Sequence, residues 1–474
     1  MDAKIALFKK WLHDNGAVFS KIEWPSVDTV GGCRGAQAID DISPEEHMIE
    51  IPIQLMMSPP IALADTVIGP ILRLHEEALR GDLLLSLFIM FEMSKGPQSF
   101  YFPYLEILPE PGCVSQWTDM QLQQLQNENL MLKSKNRLSM LRNSYNRSIL
   151  PLCNRYPEQL PVKKFSYDSF LFAWYSVQAR AFGRRLPWTA MVPFADCLNH
   201  SNLQTKYDYN VGDNGLFRLF PSGSNCYPRG CEVFNSYGRR QNDNLLLDYG
   251  FAILENEWDQ VEIILLLERT VPDFDRKRTI LYTQFGLHHH TILTLQWSKF
   301  PFEALAFLRV QSMNLEEINV FQDEDAELLL MRHSGGGKQT GDDVSAAMMR
   351  IASVRCELQA MRLFIDQLLG LVSKWPTSVR EDEEALEQLS HASSSSNGDT
   401  ADDHWRAVCA ITYRLTRKRI IDAIISKLRA LEEHLLSPEN SNYDKLLQQV
   451  VSTFPPTQGP NLQDLEKYVR KLCI

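Results

Sequence analysis

The sequence has no Cys-x-x-Cys pair, and its nine cysteines are scattered along the chain. A disulfide framework needs paired cysteines in even number, and a cysteine zinc site needs closely spaced ones. Both are disfavoured, and no metal site is expected. Thiols that stay reduced are typical of a reducing compartment, so we expect a cytoplasmic and/or nuclear location.

Long apolar runs are also missing. The longest one, 83–91, falls well short of the ~20 residues that cross a bilayer as a helix. The first residues lead directly into an amphipathic segment and lack the apolar region of a signal peptide. The sequence therefore predicts no membrane partner.

Positive charge is in deficit, because 48 Lys and Arg stand against 59 Asp and Glu, for a net charge of −11. A duplex-binding protein normally presents a basic face, so nucleic acid is not an expected partner. With 474 residues, 44% of them hydrophobic, the chain is long enough for two or more domains.

Strand and helix patterns change along the chain. A polar helical segment at 118–156 is followed by short strand patterns between 206 and 267. Beyond about 270, long helical patterns occupy 302–311, 343–373 and 404–437, with loop-like breaks at 334–337 and 393–396. An α+β first part is therefore predicted to precede an all-helical second part.

A polar cluster at 196–201 (Asp-Cys-Leu-Asn-His-Ser) follows the apolar run 190–195. Its Asp, Asn and His side chains differ in the hydrogen bonds that they offer. An apolar run that ends in this way can bring polar groups to the rim of a pocket, because buried polar groups need partners. A polar turn with a capping Asp or Asn accounts for the stretch at least as well.

A second cluster lies about forty residues further on. Tyr237-Gly238 ends a strand pattern, Asn242 follows, and Tyr249-Gly250-Phe251 closes the segment. Either tyrosine alone is explained as an amphipathic residue with a buried ring and a solvated hydroxyl. The two clusters together are more specific than either one.

Asn199-His200-Ser201, Tyr237-Gly238 with Asn242, and 246–251 together resemble the SET-domain methyltransferases. Within this family the chain looks like the branch of the Rubisco large-subunit lysine methyltransferase. The resemblance covers essentially the whole chain, and it extends through 49–52, 66–70, 104–109, 179–184 and 377–382.

The resemblance implies a SET domain over 1–267, composed of an N-terminal part (1–94), a helical insertion (about 95–165) and a catalytic part (166–267). A helical substrate-binding domain would occupy 268–474. The class is thus α+β, with an all-α C-terminal domain. A pseudoknot-like threading of the β core would bring Asn199-His200 beside the Tyr237 segment.

The resemblance also implies S-adenosyl-L-methionine as the cofactor. Its binding residues would be Gly32, Cys33, Arg34, Gly35, Arg180, Asn199, His200, Tyr237 and Phe251. The family usually has glycine at the position of Cys33. Arg180 would pair either with the cofactor carboxylate or with Asp196.

Tyr237 would be the catalytic residue, with its hydroxyl near the methyl group and the amine. A tyrosine hydroxyl with a pKa of about 10 is a poor base at neutral pH, so its expected role is orientation. The residues implied on the substrate side are Phe182, Arg184, Asp196, Tyr209 and Tyr249, with Tyr207 as the alternative to Tyr209.

The expected substrate is a non-histone protein that carries a target lysine. Arg180-Ala181-Phe182 and Ala195 are similar to the lysine-directed members of the family, whereas the histidine-directed branch resembles Arg-x-Asn and a Trp at these places. A slim lysine stem suits an aromatic wall with room beside it. Histidine methylation and a catalytically silent SET scaffold are the alternative hypotheses.

Overall fold

The computed structural model describes residues 2–28, 34–183, 186–210, 215–319, 348–392, 399–436, 443–451 and 462–472. It divides the chain into two compact units. The first contains Met1–Ala252 and Leu389–Ala410, and the second contains Ile253–Gln388 and Ile411–Ile474. Each unit has its own cluster of buried apolar side chains.

Helices and short strands alternate in the first unit. Helices α1 to α10 are Asp2–Asp14, Pro59–Ala64, Gly69–Leu74, Asp82–Lys95, Phe102–Leu105, Asp119–Gln123, Glu128–Ser144, Leu150–Arg155, Tyr167–Arg180 and Asn242–Asn244. Strands β1 to β7 are Ile22–Asp28, Arg34–Ala38, Ile49–Pro52, Asn199–His200, Thr205–Asn210, Leu216–Pro221 and Phe234–Asn235.

Helix α9 is set by local signals at both ends. The hydroxyl of Ser166 accepts the N–H of Ser169 and caps the first turn, where Asp168 also suits the helix dipole. The helix ends at Arg180 because Ala181 has an extended backbone. Arg180 therefore lies at the C-terminal end of α9, where the chain leaves the helix and continues toward β4 and β5.

The strands of the first unit form three small sheets. Strands β1 and β2 pair antiparallel, and β3, β6 and β5 form an antiparallel sheet in that order. Strands β4 and β7 pair parallel, with Asn199 opposite Phe234 and His200 opposite Asn235. The predicted adjacency of Asn199-His200 and the segment leading to Tyr237 is therefore confirmed.

The predicted insertion is helical, as expected. A capping box of Thr118 and Gln121 begins α6, and the Asn127 side chain caps α7. A π-helical turn, Tyr145–Ile149, joins α7 to α8. Helix α7 is also linked to the segment before Tyr249, since Arg137 forms an ion pair with Asp248 at 3.0 Å.

The elements from residue 253 onward are mostly helical. Strands β8 and β9 are Gln260–Leu266 and His290–Gln296. Helices α11 to α17 are Phe274–Phe285, Phe302–Ser312, Val354–Val372, Val379–Ala392, Asp399–Leu436, Tyr443–Val451 and Leu462–Leu472. The breaks predicted at 334–337 and 393–396 lie outside the described residues.

The predicted α+β class is confirmed, but the region after 267 is not entirely helical. Strand β9 lies within it and pairs antiparallel with β8 over seven residue pairs, from Gln260–Gln296 to Leu266–His290. Every second residue of β8 is buried, which is the pattern of a sheet with one covered face. In β9 the apolar residues 292, 293 and 295 do not alternate strictly with polar ones, so the sequence pattern does not mark this strand.

A fully buried ion pair crosses the core of the second unit. Arg309 Nη2 donates to Glu357 Oε1 at 2.8 Å, and neither side chain is exposed. The hydroxyl of Tyr468 donates to the same carboxylate. Among the described residues, no helix is both long enough and apolar enough to cross a membrane.

Gly250 provides the first testable prediction. Its φ of +82° lies in the left-handed region, and a Cβ there would stand 2.6 Å from the carbonyl carbon of Gly112. Gly250→Ala should therefore destabilise the protein by about 2 kcal/mol in urea unfolding, since a backbone clash adds to the strain of positive φ. Gly230→Ala is the matched control, because Gly230 has a φ of +89° and no neighbour within 4 Å. Equal destabilisation by the two variants would contradict the proposed clash.

Candidate active site

A cavity of about 480 Å³ opens in the first unit, at the C-terminal end of α9 and beside β5 and β7. Three separate stretches of sequence line it, namely 179–183, 205–207 and 235–240, together with Asp196 and Tyr249. Five residues predicted for the site are therefore brought together at this cavity: Arg180, Phe182, Asp196, Tyr237 and Tyr249.

Three aromatic rings form a stack beside the cavity. The ring of Tyr237 lies between those of His200 and Tyr249, with centroid distances of 4.8 Å on each side and interplanar angles of 14° and 22°. Phe251 lies against all three rings at 6.1–6.3 Å. The π-helical turn Leu245–Tyr249 and the left-handed Gly250 set the positions of Tyr249 and Phe251.

His200 is held as a neutral imidazole. His200 Nδ1 lies 3.1 Å from the N–H of Tyr237, which can only donate to it, and 3.3 Å from the carbonyl oxygen of Asn235, which can only accept from it, so the position of the ring proton depends on the tautomer. Burial lowers the pKa of His200 to about 4, which keeps the ring neutral at physiological pH. Nε2 is buried and has no hydrogen-bond partner among the described residues. A buried polar atom of this kind is one that a bound ligand can satisfy.

The Tyr237 hydroxyl has a fixed partner. It donates to the carbonyl oxygen of Leu198 at 2.8 Å, which directs one lone pair of the hydroxyl oxygen away from this bond. Burial raises the pKa of Tyr237 well above its usual range. The hydroxyl is therefore protonated at neutral pH and acts as an oriented dipole, not as a base.

Asp196 is the centre of a buried polar network. The hydroxyl of Tyr104 donates to its Oδ2 at 2.7 Å, and Arg180 Nη1 lies 3.3 Å from the same oxygen and 2.9 Å from the Asp196 carbonyl. Burial raises the pKa of the Asp196 carboxyl, while Arg180 and the Tyr104 hydrogen bond oppose that rise. Arg180 was expected to pair with the cofactor carboxylate or with Asp196, and in this structure it pairs with Asp196.

The strand with Arg34 and Gly35 contacts the strand with Asn199. Arg34 donates to the carbonyl of Ile107 at 2.8 Å, and the Asn199 amide donates to Glu232 Oε1 at 2.8 Å. Both predicted segments thus lie near the ring stack. Other residues predicted for the site lie outside the described part of the chain: Gly32, Cys33 and Arg184.

An aromatic wall borders the cavity on the side of Phe182. The ring of Phe182 packs edge to face against Tyr207 at 5.3 Å and against Phe217 at 5.0 Å. The substrate-side tyrosine predicted from the sequence is Tyr209, but Tyr207 lines this cavity and Tyr209 does not. Tyr209 instead packs against Trp188 at 5.4 Å.

The geometry of β5 explains why Tyr207, and not Tyr209, lines the cavity. Tyr207 and Tyr209 share one face of β5, but they stand ~7 Å apart along the strand. The start of β5 is bound to the end of β7, because Thr205 Oγ1 donates to Asn235 Oδ1 and accepts the N–H of Ser236, both at 2.9 Å. Tyr207 is the nearer of the two tyrosines to this junction.

Sequence reasoning missed other residues at this site. Tyr104 contacts Asp196 across a separation of 92 residues, and no local pattern signals that pairing. Phe217, on the neighbouring strand β6, was not predicted for the site, whereas Tyr207 was the alternative to Tyr209, on the same face of the strand. No group of three or more His, Cys, Asp or Glu side chains within the described ranges could hold a metal ion.

Relatives match most of the chain, and one family model matches part of it. The Rubisco LSMT substrate-binding family matches residues 269–421. An actin-histidine N-methyltransferase of Canis lupus familiaris is 25% identical over 444 residues, which is 90% of this chain and 69% of the relative. The Gallus gallus protein of the same name is 25% identical and covers 97% of this chain and 76% of its own length.

Solved structures support the fold. The SET domain of LSMT bound to lysine and AdoHcy has a TM-score of 0.61 at 21% identity and covers 92% of both chains. Rubisco LSMT bound to AdoMet has a TM-score of 0.60 at 22% identity, covering 98% of this chain and 99% of that one. The resemblance identified in the sequence is therefore confirmed at the level of the fold.

The Asp196 network generates the second prediction. Arg180→Met should destabilise the protein by about 2 kcal/mol, because it leaves a buried carboxylate without its cation. Without the arginine, burial should raise the pKa of Asp196 in the folded variant above its value in the unfolded chain. The free energy of unfolding should therefore fall as pH rises between these two pKa values. The loss of stability relative to wild type, measured by urea unfolding, should be larger at pH 7.5 than at pH 5. Arg180→Lys, which keeps the charge, should show a smaller deficit. A deficit independent of pH would contradict the assignment.

Proposed function

We propose that this chain, which has the SET-domain fold of Rubisco LSMT and a segment of its substrate-binding family, is an S-adenosylmethionine-dependent protein-lysine N-methyltransferase. The observation that carries the proposal is the stack of His200, Tyr237 and Tyr249 beside a cavity with an aromatic wall. Such a site can align an amine with a methyl donor while excluding water from both.

The residues beside the stack suit the cofactor. His200 Nε2 is buried and has no hydrogen-bond partner within the described ranges, and Asn199 lies at the neighbouring position of β4. The rings of Tyr249 and Phe251 at the edge of the stack carry π-electron density, which attracts a cationic group. When bound, S-adenosylmethionine would supply an electrophilic methyl group on a sulfonium.

The chain's own residues would orient the amine. Because Tyr237 donates its proton to Leu198, its hydroxyl oxygen can accept a hydrogen bond from the nitrogen and leave the nitrogen lone pair directed inward. A lysine amine has a reference pKa of about 10.4, so it must lose a proton before attack. The half-buried aromatic surroundings favour the neutral amine by desolvation.

The shape of the wall favours lysine over histidine as the target. The aromatic rings of Phe182 and Tyr207 line the cavity, the buried Phe217 packs behind Phe182, and Ala195 next to Asp196 is fully buried and small. A linear alkyl stem fits such a boundary without needing a polar partner, whereas an imidazole requires hydrogen bonds for its two nitrogens. Histidine is the second candidate, because the curated relatives are actin-histidine N-methyltransferases.

A transfer experiment separates these candidates. The full chain is incubated with S-adenosylmethionine carrying a tritiated methyl group and with a cell lysate, and the labelled protein is hydrolysed to amino acids. We expect the label in methyllysine. Label in methylhistidine would overturn the lysine assignment while preserving protein methylation, and label that is absent at every enzyme concentration would contradict both.

Tyr237→Phe is the third prediction. The substitution keeps the ring in its stack but removes the hydroxyl that faces Leu198. Cofactor binding, measured by calorimetry, should stay within about threefold of wild type, while transfer should fall by at least about 100-fold. Tyr227→Phe is a matched control, since the Tyr227 hydroxyl also donates to a backbone carbonyl but does not line the cavity. Wild-type transfer by Tyr237→Phe would refute the assigned role.

Phe182→Asn is the fourth prediction. An amide at this position replaces the centre of the aromatic wall with a hydrogen-bonding group, which favours an imidazole over an alkyl stem. Lysine transfer should fall by about tenfold or more, as expected when apolar contact in a specificity pocket is lost. Phe182→Leu, which stays apolar, should retain more activity. If the two variants were equally active on lysine, the wall would not determine the target.

A further inference from the structure

Tyr104 is a fully buried tyrosine that contacts the candidate site through one side chain, Asp196. It lies on α5, where its ring packs against Phe8 of α1 with the centroids 6.0 Å apart. Its hydroxyl donates to Asp196 Oδ2 at 2.7 Å. Burial raises the pKa of Tyr104 well above its usual range, so the hydroxyl keeps its proton for this bond.

Asp196 and Arg180 form an ion pair in the lining of the cavity, with Arg180 Nη1 3.3 Å from Asp196 Oδ2. The Asp196 side chain has no exposed surface, whereas the Arg180 side chain is 21% exposed. An arginine keeps its charge at every pH that a protein tolerates, so the net charge of the pair depends on the carboxyl alone. The pair is neutral when Asp196 is ionised, and it is a net cation when Asp196 is protonated.

The other titratable groups around Asp196 keep one charge state. The Cys197 thiol lies 3.9 Å from Asp196 Oδ1, and burial raises its pKa well above the usual range, so it stays neutral. Burial has the same effect on the pKa of Tyr237. Arg34 of β2, whose charge acts on Cys197, is a permanent cation and donates to the Ile107 carbonyl. Asp196 is therefore the member of this group whose charge responds to pH in the neutral and acidic range.

Two opposing influences set the pKa of Asp196. Burial is the larger one and raises the pKa, whereas Arg180 and the hydrogen bond from Tyr104 lower it. The net result is a pKa above that of an ordinary aspartate. Each hydrogen bond to the ionised carboxylate therefore extends the pH range over which it stays charged, and Tyr104 supplies one of these bonds.

The charge of the pair matters for a ligand that is itself a cation. The sulfonium of S-adenosylmethionine is positively charged, and an uncompensated guanidinium in a half-buried cavity repels it more strongly than in water. S-adenosylhomocysteine has the same amino-acid and adenosine parts but an uncharged sulfur. The affinity ratio, defined as the affinity for S-adenosylmethionine divided by that for S-adenosylhomocysteine, therefore reports the charge of the cavity. Titration of the parts that the two ligands share cancels in this ratio.

We propose that Tyr104 is a positioning residue whose hydroxyl keeps Asp196 ionised and thereby keeps the Arg180–Asp196 pair neutral toward a cationic cofactor. The inference rests on the proposed S-adenosylmethionine-dependent function, which it deepens by giving the cavity a charge requirement. It is independent of whether lysine or histidine is the target.

Calorimetry of the full chain with the two ligands tests this role without requiring transfer. The affinity ratio is measured as a function of pH in wild type and in Tyr104→Phe. In each protein the ratio should fall by about tenfold as pH falls through the pKa of Asp196. In Tyr104→Phe this fall should occur about one pH unit higher than in wild type, because the ionised carboxylate has lost a hydrogen bond. Above both pKa values the two proteins should have the same ratio.

Two further variants separate this role from a structural one. Tyr145→Phe is the matched control, because the buried Tyr145 hydroxyl donates to the Phe165 carbonyl at 2.8 Å and Tyr145 does not line the cavity. Its ratio should follow wild type at every pH. Asp196→Asn, which cannot ionise, should have the low ratio at every pH, and it keeps the proposal testable if Tyr104→Phe fails to fold.

Several outcomes would overturn this role for Tyr104. They are a ratio in Tyr104→Phe that follows wild type at every pH, an equal shift in Tyr145→Phe, and a wild-type ratio in Asp196→Asn at high pH. An equal loss of affinity for both ligands at every pH would show that Tyr104 serves packing alone, and it would also overturn the inference. Binding of neither ligand would refute the proposed function together with this inference, whereas an unchanged ratio would refute this inference alone.

Discussion

The site depends on the parallel pairing of two very short strands, β4 and β7. Asn199 lies opposite Phe234 and His200 opposite Asn235, and the pairing brings together two segments that are about thirty-five residues apart in sequence. The N–H of Tyr237 then lies 3.1 Å from His200 Nδ1, and the rings of the two residues stack. Without this pairing the polar cluster at 196–201 would be an ordinary capped turn.

Charge is distributed around the stack in a consistent way. The acidic side chain inside, Asp196, is satisfied by Arg180 and Tyr104, so it stabilises the cleft wall and does not attract ligand cations strongly. His200 is neutral and Tyr237 keeps its proton, which leaves oriented dipoles at the centre. Preorganised dipoles in a half-buried cleft are suited to positioning a neutral amine.

The sequence predicts the centre of the site better than its periphery. Tyr237, Tyr249 and Phe251 were identifiable because glycine turns follow both tyrosines, and the structure places their rings together. The choice between Tyr207 and Tyr209 depended on where β5 meets β7, which alternation along one strand does not specify. The contact of Tyr104 with Asp196 and the strand β9 were missed for related reasons, since each depends on a partner distant in sequence.

If the ring stack and its neighbours form the proposed cofactor-dependent methyl-transfer cleft, and not a silent scaffold, the purified full chain must bind S-adenosylmethionine. Isothermal titration calorimetry measures this binding. We expect saturable binding of one molecule of cofactor per chain, weakened when the Asn199 amide or the His200 ring is removed. The absence of binding at millimolar cofactor would contradict the proposed cleft and favour the scaffold.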